Sequence, residues 1–109
     1  MPKDDLVRIR HMLDAAKEAV SFTQGKTRSA FEKDRMLVLS LMRLIEVIGE
    51  AANQVTGEFQ AAHPDIPWAE IVAMRNRLIH AYFDVDVSRV WDTVRDDLPA
   101  LVASLDKLL

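Results

Sequence analysis

The sequence predicts an all-α protein: an antiparallel, up-down four-helix bundle whose last helix is kinked at Pro99 and which dimerises. Three observations point there. Long stretches place apolar residues three and four apart, the period of an amphipathic helix. No segment shows the sustained alternation of a strand. The three glycines and four prolines are few and punctuate the chain, so connections are short and a bundle is the economical arrangement.

The first helix covers residues 4 to 23, where Leu6, Ile9, Leu13, Ala16 and Val20 form the apolar stripe with charged residues between them. "TQGKTRS", residues 23 to 29, breaks the pattern and supplies turn chemistry. A second, longer helix is expected from about Ala30 to Val55, with Gly57 as its C-terminal stop. "FQAAHPDIPW" reads as a loop. Pro67 suits a first helical position, so a third helix runs from there to about Tyr82. "DVDVS" then separates it from a fourth helix, with Asp86 or Ser88 as N-cap. Val90, Trp91, Val94, Leu98, Leu101, Val102 and Leu105 make that helix's stripe, and Pro99 should kink or divide it near Asp97.

At 109 residues the chain suits one domain, residues 1–109, and half its residues are hydrophobic, enough for a core. The absence of cysteine excludes disulfides, thiolate metal sites and cysteine nucleophiles. There is no long uncharged apolar run to span a membrane, and "MPKDDLVRIR" has no signal-peptide character, so a cytoplasmic protein is expected. A net charge of −3 argues against a surface coated for nucleic acid but allows a local basic site. Lys26, Arg28, Lys33 and Arg35 cluster before the second helix and read as a solvated face. His11 and His63 lack companions at metal-ligand spacing, and neither a Gly-rich phosphate loop nor a G-x-S-x-G elbow occurs. No metal and no cofactor are called for.

Two features are costly for an ordinary bundle. From Met36 to Ile48 the second helix reads MLVLSLMRLIEVI, apolar on nearly every side, with Arg43, Glu46, Glu50 and Asn53 forming one narrow polar stripe. A helix this apolar needs cover on more than one face, so a subunit interface is expected. On the third helix, stepping about 100° per residue puts Arg75 at the centre of the apolar face formed by Trp68, Ile71, Val72, Leu78 and Ile79. Tyr82 lies about 20° from it, Asn76 and His80 sit together on one flank, and Arg77 and Glu70 face away. An arginine in a core stripe must be paired, hydrogen-bonded or placed at a cleft. A structural ion pair with Glu46 or Glu50 of the second helix is one reading, and a functional arginine held by such a carboxylate is another.

The arrangement Arg75-Asn76-x3-His80-x-Tyr82 resembles the R-x4-H-x-Y signature of HEPN-domain ribonucleases, in particular the HepT-type toxins paired with minimal nucleotidyltransferase antitoxins. "LIEVIGEAANQV" at 44 to 55 resembles that family's I-G-E-A segment. "PDIPWAEIVAMRNRLIHAYFDVD" at 64 to 86 resembles its I-P-W and R-N-x3-H-x-Y block, and "VWDTVRDDLPAL" its closing helix. The resemblance extends over nearly the whole chain.

It implies a metal-independent endoribonuclease toxin of a type VII toxin-antitoxin system, with two R-x4-H motifs facing each other across a homodimer. Arg75 and His80 would be catalytic, with Asn76 in support; Glu46 and Glu50 are placed in support by the residue pattern itself, as carboxylates that could hold the arginine. RNA supplies its own 2′-hydroxyl nucleophile, so a proton acceptor and a fixed cation suffice. Histidine titrates near neutral pH and arginine is a permanent, forked cation. The implied products are a 2′,3′-cyclic phosphate and a 5′-hydroxyl. The implied partners are an RNA substrate and a cognate nucleotidyltransferase antitoxin, which would transfer AMP to Tyr82 and could join a larger hetero-oligomer. Two alternatives remain from the residues themselves: a non-catalytic module that binds a nucleotide or a nucleotidyltransferase, and a structural helical dimer.

Overall fold

The computed structural model describes residues 3–80 and 86–109, with the side chains of Lys3, Ile79 and His80 excepted. These residues form helices and no strand. In order they are α1 (Lys3–Thr23), α2 (Arg28–Lys33), α3 (Arg35–Gln54), α4 (Gly57–Ala62), α5 (Trp68–His80), α6 (Val87–Asp92), a π-helical turn (Thr93–Asp97) and α7 (Leu98–Asp106). Helix α3 packs on α1 and on α5, and α1 also packs on α7. Ile9, Met12, Leu13 and Ala16 of α1 meet Leu41, Ile45 and Ile48 of α3, and Val94, Leu98 and Leu105 complete one buried cluster. Each of the larger side chains contributes about 1.5–3 kcal/mol on burial, so this cluster is the main driving force for the fold.

The second helix is shorter than its periodicity suggests. It breaks at Asp34, which ends α2 and also caps α3 by accepting a hydrogen bond from Leu37 N at 3.1 Å. A carboxylate at that place satisfies one of the unpaired amides of a new helix start. The break lets α2 turn and dock Phe31 against Trp91 of α6, ring centroids 5.1 Å apart. Basic residues before α3 sit on the surface as expected, and Arg28 reaches both Glu32 and Asp92 at 3.5 Å.

Gly57 does not stop the long helix. Helix α3 ends at Gln54, and Gly57 is the first residue of α4, in a segment whose periodicity gave only a loop. Thr56 makes the difference, because its hydroxyl accepts from Phe59 N at 3.2 Å and starts a new helix. Helix α4 then caps its predecessor. The Gln60 side chain donates to Ala52 O at 3.1 Å, which also accepts from Val55 N, and to Val55 O at 3.2 Å, at the end of α3.

In the C-terminal part of the chain, Asp86 is the N-cap of α6, accepting from Arg89 N at 3.1 Å. The expected irregularity before Pro99 is a π turn, closed by a bond from Leu98 N to Thr93 O. Pro99 has no N–H to continue an α-helical ladder and its ring would crowd the carbonyl one turn back, at Arg95, which the wider turn accommodates. Among the described residues, no helix is long and apolar enough to cross a membrane.

The most informative polar contact joins the chain's start to its middle. Asp5 is 1% exposed, and its carboxylate accepts from Thr56 N at 2.9 Å and from Thr56 Oγ1 at 2.7 Å, across 51 residues. This fixes α1 against the junction of α3 and α4. Hydrogen bonds to a charged acceptor contribute about 1.5–3 kcal/mol. Asp5→Ala should therefore lower unfolding free energy by about 2–3 kcal/mol in urea titration; a change within experimental error would show that the anchor is incidental.

Candidate active site

The site begins with a glycine. Gly49 lies in the buried face of α3, directly under α5. A Cβ placed on it would fall on Arg75 Cβ, 2.6 Å from Arg75 Cγ and 3.3 Å from the Ile71 carbonyl oxygen. Only hydrogen fits. The arginine's stem therefore runs across the bare backbone of α3, which is how a cation can occupy the middle of an apolar face. Trp68 and Ile71 are buried beside it and Val72 and Leu78 are half-buried, whereas Glu70 and Arg77 are exposed, as the helical angles require.

Past Gly49, Arg75 is half-buried and lines an open cleft of about 480 Å³ between α1, α3 and α5. Arg8 and His11 come from α1; Arg43, Val47, Glu50, Ala51, Asn53 and Gln54 come from α3. The polar stripe of α3 is thus one wall of this cleft. Arg75 Nε is buried and has no hydrogen-bond partner among the described residues. A donor left this way costs about 1–3 kcal/mol. Neither carboxylate expected to answer Arg75 does so among the described residues. Glu46 is engaged by Arg43, with Nη1 donating at 2.7 Å, and Glu50 shares the cleft without an ion pair to Arg75.

Asn76 is exposed and lies in a neighbouring groove with Gln60, Pro64 and Trp68, and Asn53 borders both spaces. Arg75 and Asn76 are therefore not brought into one cleft. His80 is the last residue of α5, and its side chain lies outside the described residues. Tyr82 lies outside them altogether. Trp68 of the I-P-W segment holds the start of α5 on α4. Its Nε1 donates to His63 O at 2.9 Å, and its ring meets Phe59 edge-on at 6.3 Å. His63 itself packs on Phe59, centroids 4.5 Å apart. Among the described residues, no group of three or more His, Asp or Glu side chains could hold a metal ion.

Sequence reasoning missed Gly49's packing role and the contribution of α1. The latter left a trace: Asp5, Arg8 and His11 are spaced by three, a polar line along the edge of the core stripe of α1.

The class these features define is a small all-helical domain that presents a deeply rooted arginine to an open, cation-lined cleft. A family model described as "Ribonuclease HepT-like" matches residues 12–108, and the chain belongs to the HepT-like ribonuclease family. The chain is 39% identical over 106 residues to "Probable ribonuclease HepT" of Thermococcus cleftensis, covering 97% of this chain and 94% of that one. It is 33% identical over 101 residues to "Putative RNase TTE0752" of Caldanaerobacter subterraneus, covering 93% and 90%. It is 33% identical over 90 residues to "Putative RNase MJ1380" of Methanocaldococcus jannaschii, covering 83% of each. No solved structure matches significantly.

The close approach at Gly49 has a measurable sign. Alanine is the better helix former by about 1 kcal/mol, yet overpacking costs about 1–3 kcal/mol. The atoms that a methyl group would meet are the root of a side chain and a backbone oxygen, which cannot swing aside. Gly49→Ala should therefore be net destabilising, with a lower melting temperature; a stabilised variant would mean that the two helices are not in contact there.

Proposed function

We propose that the chain is a metal-independent endoribonuclease toxin that cleaves RNA with Arg75 and His80. The observation that carries this reading is Arg75 itself: seated on Gly49, its Nε without a partner among the described residues, and opening into a cleft with Arg8 and Arg43, in a chain of the HepT-like ribonuclease family. His80, five residues on, takes the proton from the 2′-hydroxyl, whose oxygen attacks the adjacent phosphorus. The P–O5′ bond breaks, and the proton is returned to the leaving 5′-oxygen. This yields a 2′,3′-cyclic phosphate and a 5′-hydroxyl. Arg75 holds the phosphate and stabilises the extra negative charge of the pentacoordinate transition state. Asn76, in the next groove, serves as a contact to the flanking strand.

The working form is a homodimer in which two such sites face each other. Its support is the outer face of α3. Met36 is 82% exposed and Leu39 47% exposed, on the same side of the helix as Arg43 and Glu50. Apolar surface of that kind beside a charged cleft suits a subunit contact that joins two clefts. Tyr82 is the switch: its hydroxyl attacks the α-phosphorus of ATP in the partner nucleotidyltransferase, pyrophosphate leaves, and AMP stays on the ring. A bulky anion two residues beyond His80 competes with RNA for the arginine's charge.

Purified protein should cut tRNA or mRNA in the presence of EDTA. His80→Ala and Arg75→Ala should each lose at least about a hundredfold in rate, the scale of a general base or of an oxyanion-type donor; wild-type rates from His80→Ala would remove that residue from the chemistry. With ATP, magnesium and the antitoxin, the mass should rise in units of AMP in the wild type and stay constant in Tyr82→Phe. A rise that persists in that variant would place the modification elsewhere.

A further inference from the structure

Among the described residues, Arg75 is what the R-x4-H motif gives to the 480 Å³ cleft; the opposite wall belongs to α1 and has no part in the chemistry above. Arg8 and His11 supply that wall, and Arg43 stands at its edge on α3. Their placement is not loose. Asp5, one turn before Arg8, is buried and doubly bonded to Thr56, so the polar edge of α1 is held beside the C-terminal half of α3. Arg8 is half-buried, and its Nη1 donates to Asp4 O at 3.1 Å, which orients the guanidinium and leaves its other donors open.

The cleft's charge is favourable to an anion. Arg43 is balanced by Glu46, which leaves, among the described residues, Arg8 and Arg75 against the single carboxylate Glu50, with the imidazole of His11 beside them. Its remaining lining is Val47, Ala51 and the amides of Asn53 and Gln54, with no Phe, Tyr or Trp among the described residues. Base-reading surfaces on single strands rely on aromatic platforms for stacking, whereas backbone tracks rely on cations.

We propose that this cleft is a phosphate groove for single-stranded RNA, in which Arg8 and His11 hold backbone phosphates flanking the one carried by Arg75. This deepens the ribonuclease reading and rests on it. The groove grips the strand without reading its bases, so sequence preference has to come from elsewhere in the molecule. Affinity contributed by Arg8 and His11 is therefore equal across sequences and falls with salt.

The test is binding of two uncleavable 2′-O-methyl RNA oligomers, one uridine-rich and one adenine-rich, over a range of NaCl concentrations. For single strands each phosphate contact adds about 0.7 to the slope of log K against log salt. Arg8→Ala should weaken both oligomers several-fold and reduce the slope by about 0.7, His11→Gln should weaken both, and Arg8→Lys should keep the slope. Arg10→Ala, an exposed arginine of α1 that does not line the cleft, should bind as the wild type does. Unchanged binding and slope in Arg8→Ala would overturn the groove, as would an equal loss in Arg10→Ala or a loss confined to one oligomer. Circular dichroism melts of each variant separate these outcomes from unfolding, and Arg8→Lys keeps the proposal testable if Arg8→Ala does not fold. Wild-type protein that cuts RNA while Arg8→Ala binds normally would remove the groove alone. Wild-type protein that neither binds nor cuts RNA would remove the ribonuclease reading as well.

Discussion

Helix α5 crosses α3 where α3 has no side chain, and most of what distinguishes this bundle follows from that crossing. With any other residue at 49, the root of Arg75 and the carbonyl of Ile71 would be pushed away. A cation could then reach the centre of the core face only by displacing packed apolar side chains. With glycine there, the three-carbon stem of Arg75 lies on backbone and the guanidinium emerges into the cleft. The helix interior bears the cost of a glycine, about 1 kcal/mol against alanine. It also bears a buried Nε without a partner among the described residues. Polar groups left in that condition are what active sites retain and ordinary cores avoid.

The second support is the knot of contacts around the short helix α4. Thr56 starts α4 with its hydroxyl and at the same time gives its own N–H and O–H to Asp5. Gln60 reaches back to the end of α3, and Phe59 receives the edge of Trp68 at the start of α5. One six-residue helix thus locates the ends of the three helices that line the cleft. The cleft is open, yet its walls are fixed at one end by buried polar bonds and at the crossing by van der Waals contact. Preorganised donors of this kind cost no reorganisation when charge develops on a bound phosphate.

Local rules made much of this legible in the sequence. The period of three and four marks α1, α5 and α6–α7, Asp86 caps where its side chain can, and Pro99 interrupts a stripe that would otherwise run on as one helix. The inward direction of Arg75 also followed from its spacing to Trp68 and Ile71, because a helix fixes side-chain angles before any packing occurs. Contacts between distant residues were not legible. "FEKDRM" continues a helical pattern, and only the docking of Phe31 on Trp91 makes the break at Asp34 worthwhile. Gly57 looked like a stop because the sequence does not reveal that Thr56 begins another helix and holds Asp5. The expectation that Glu46 or Glu50 would answer Arg75 had the right helix and the wrong pairing, since Arg43 lies one turn from Glu46 and takes it locally. His80's side chain and Tyr82 lie outside the described residues, so their places beside Arg75 rest on helical spacing and on family likeness.

The central claim is that the crossing at Gly49 exists to present Arg75 to a phosphate. A crystal structure with an uncleavable 2′-O-methyl RNA dinucleotide bound tests it most directly. A phosphate oxygen about 2.7–3.1 Å from the Arg75 guanidinium, with the stem still lying on Gly49, is the result expected. A structure in which Arg75 turns onto Glu50 while the phosphate binds elsewhere would contradict it.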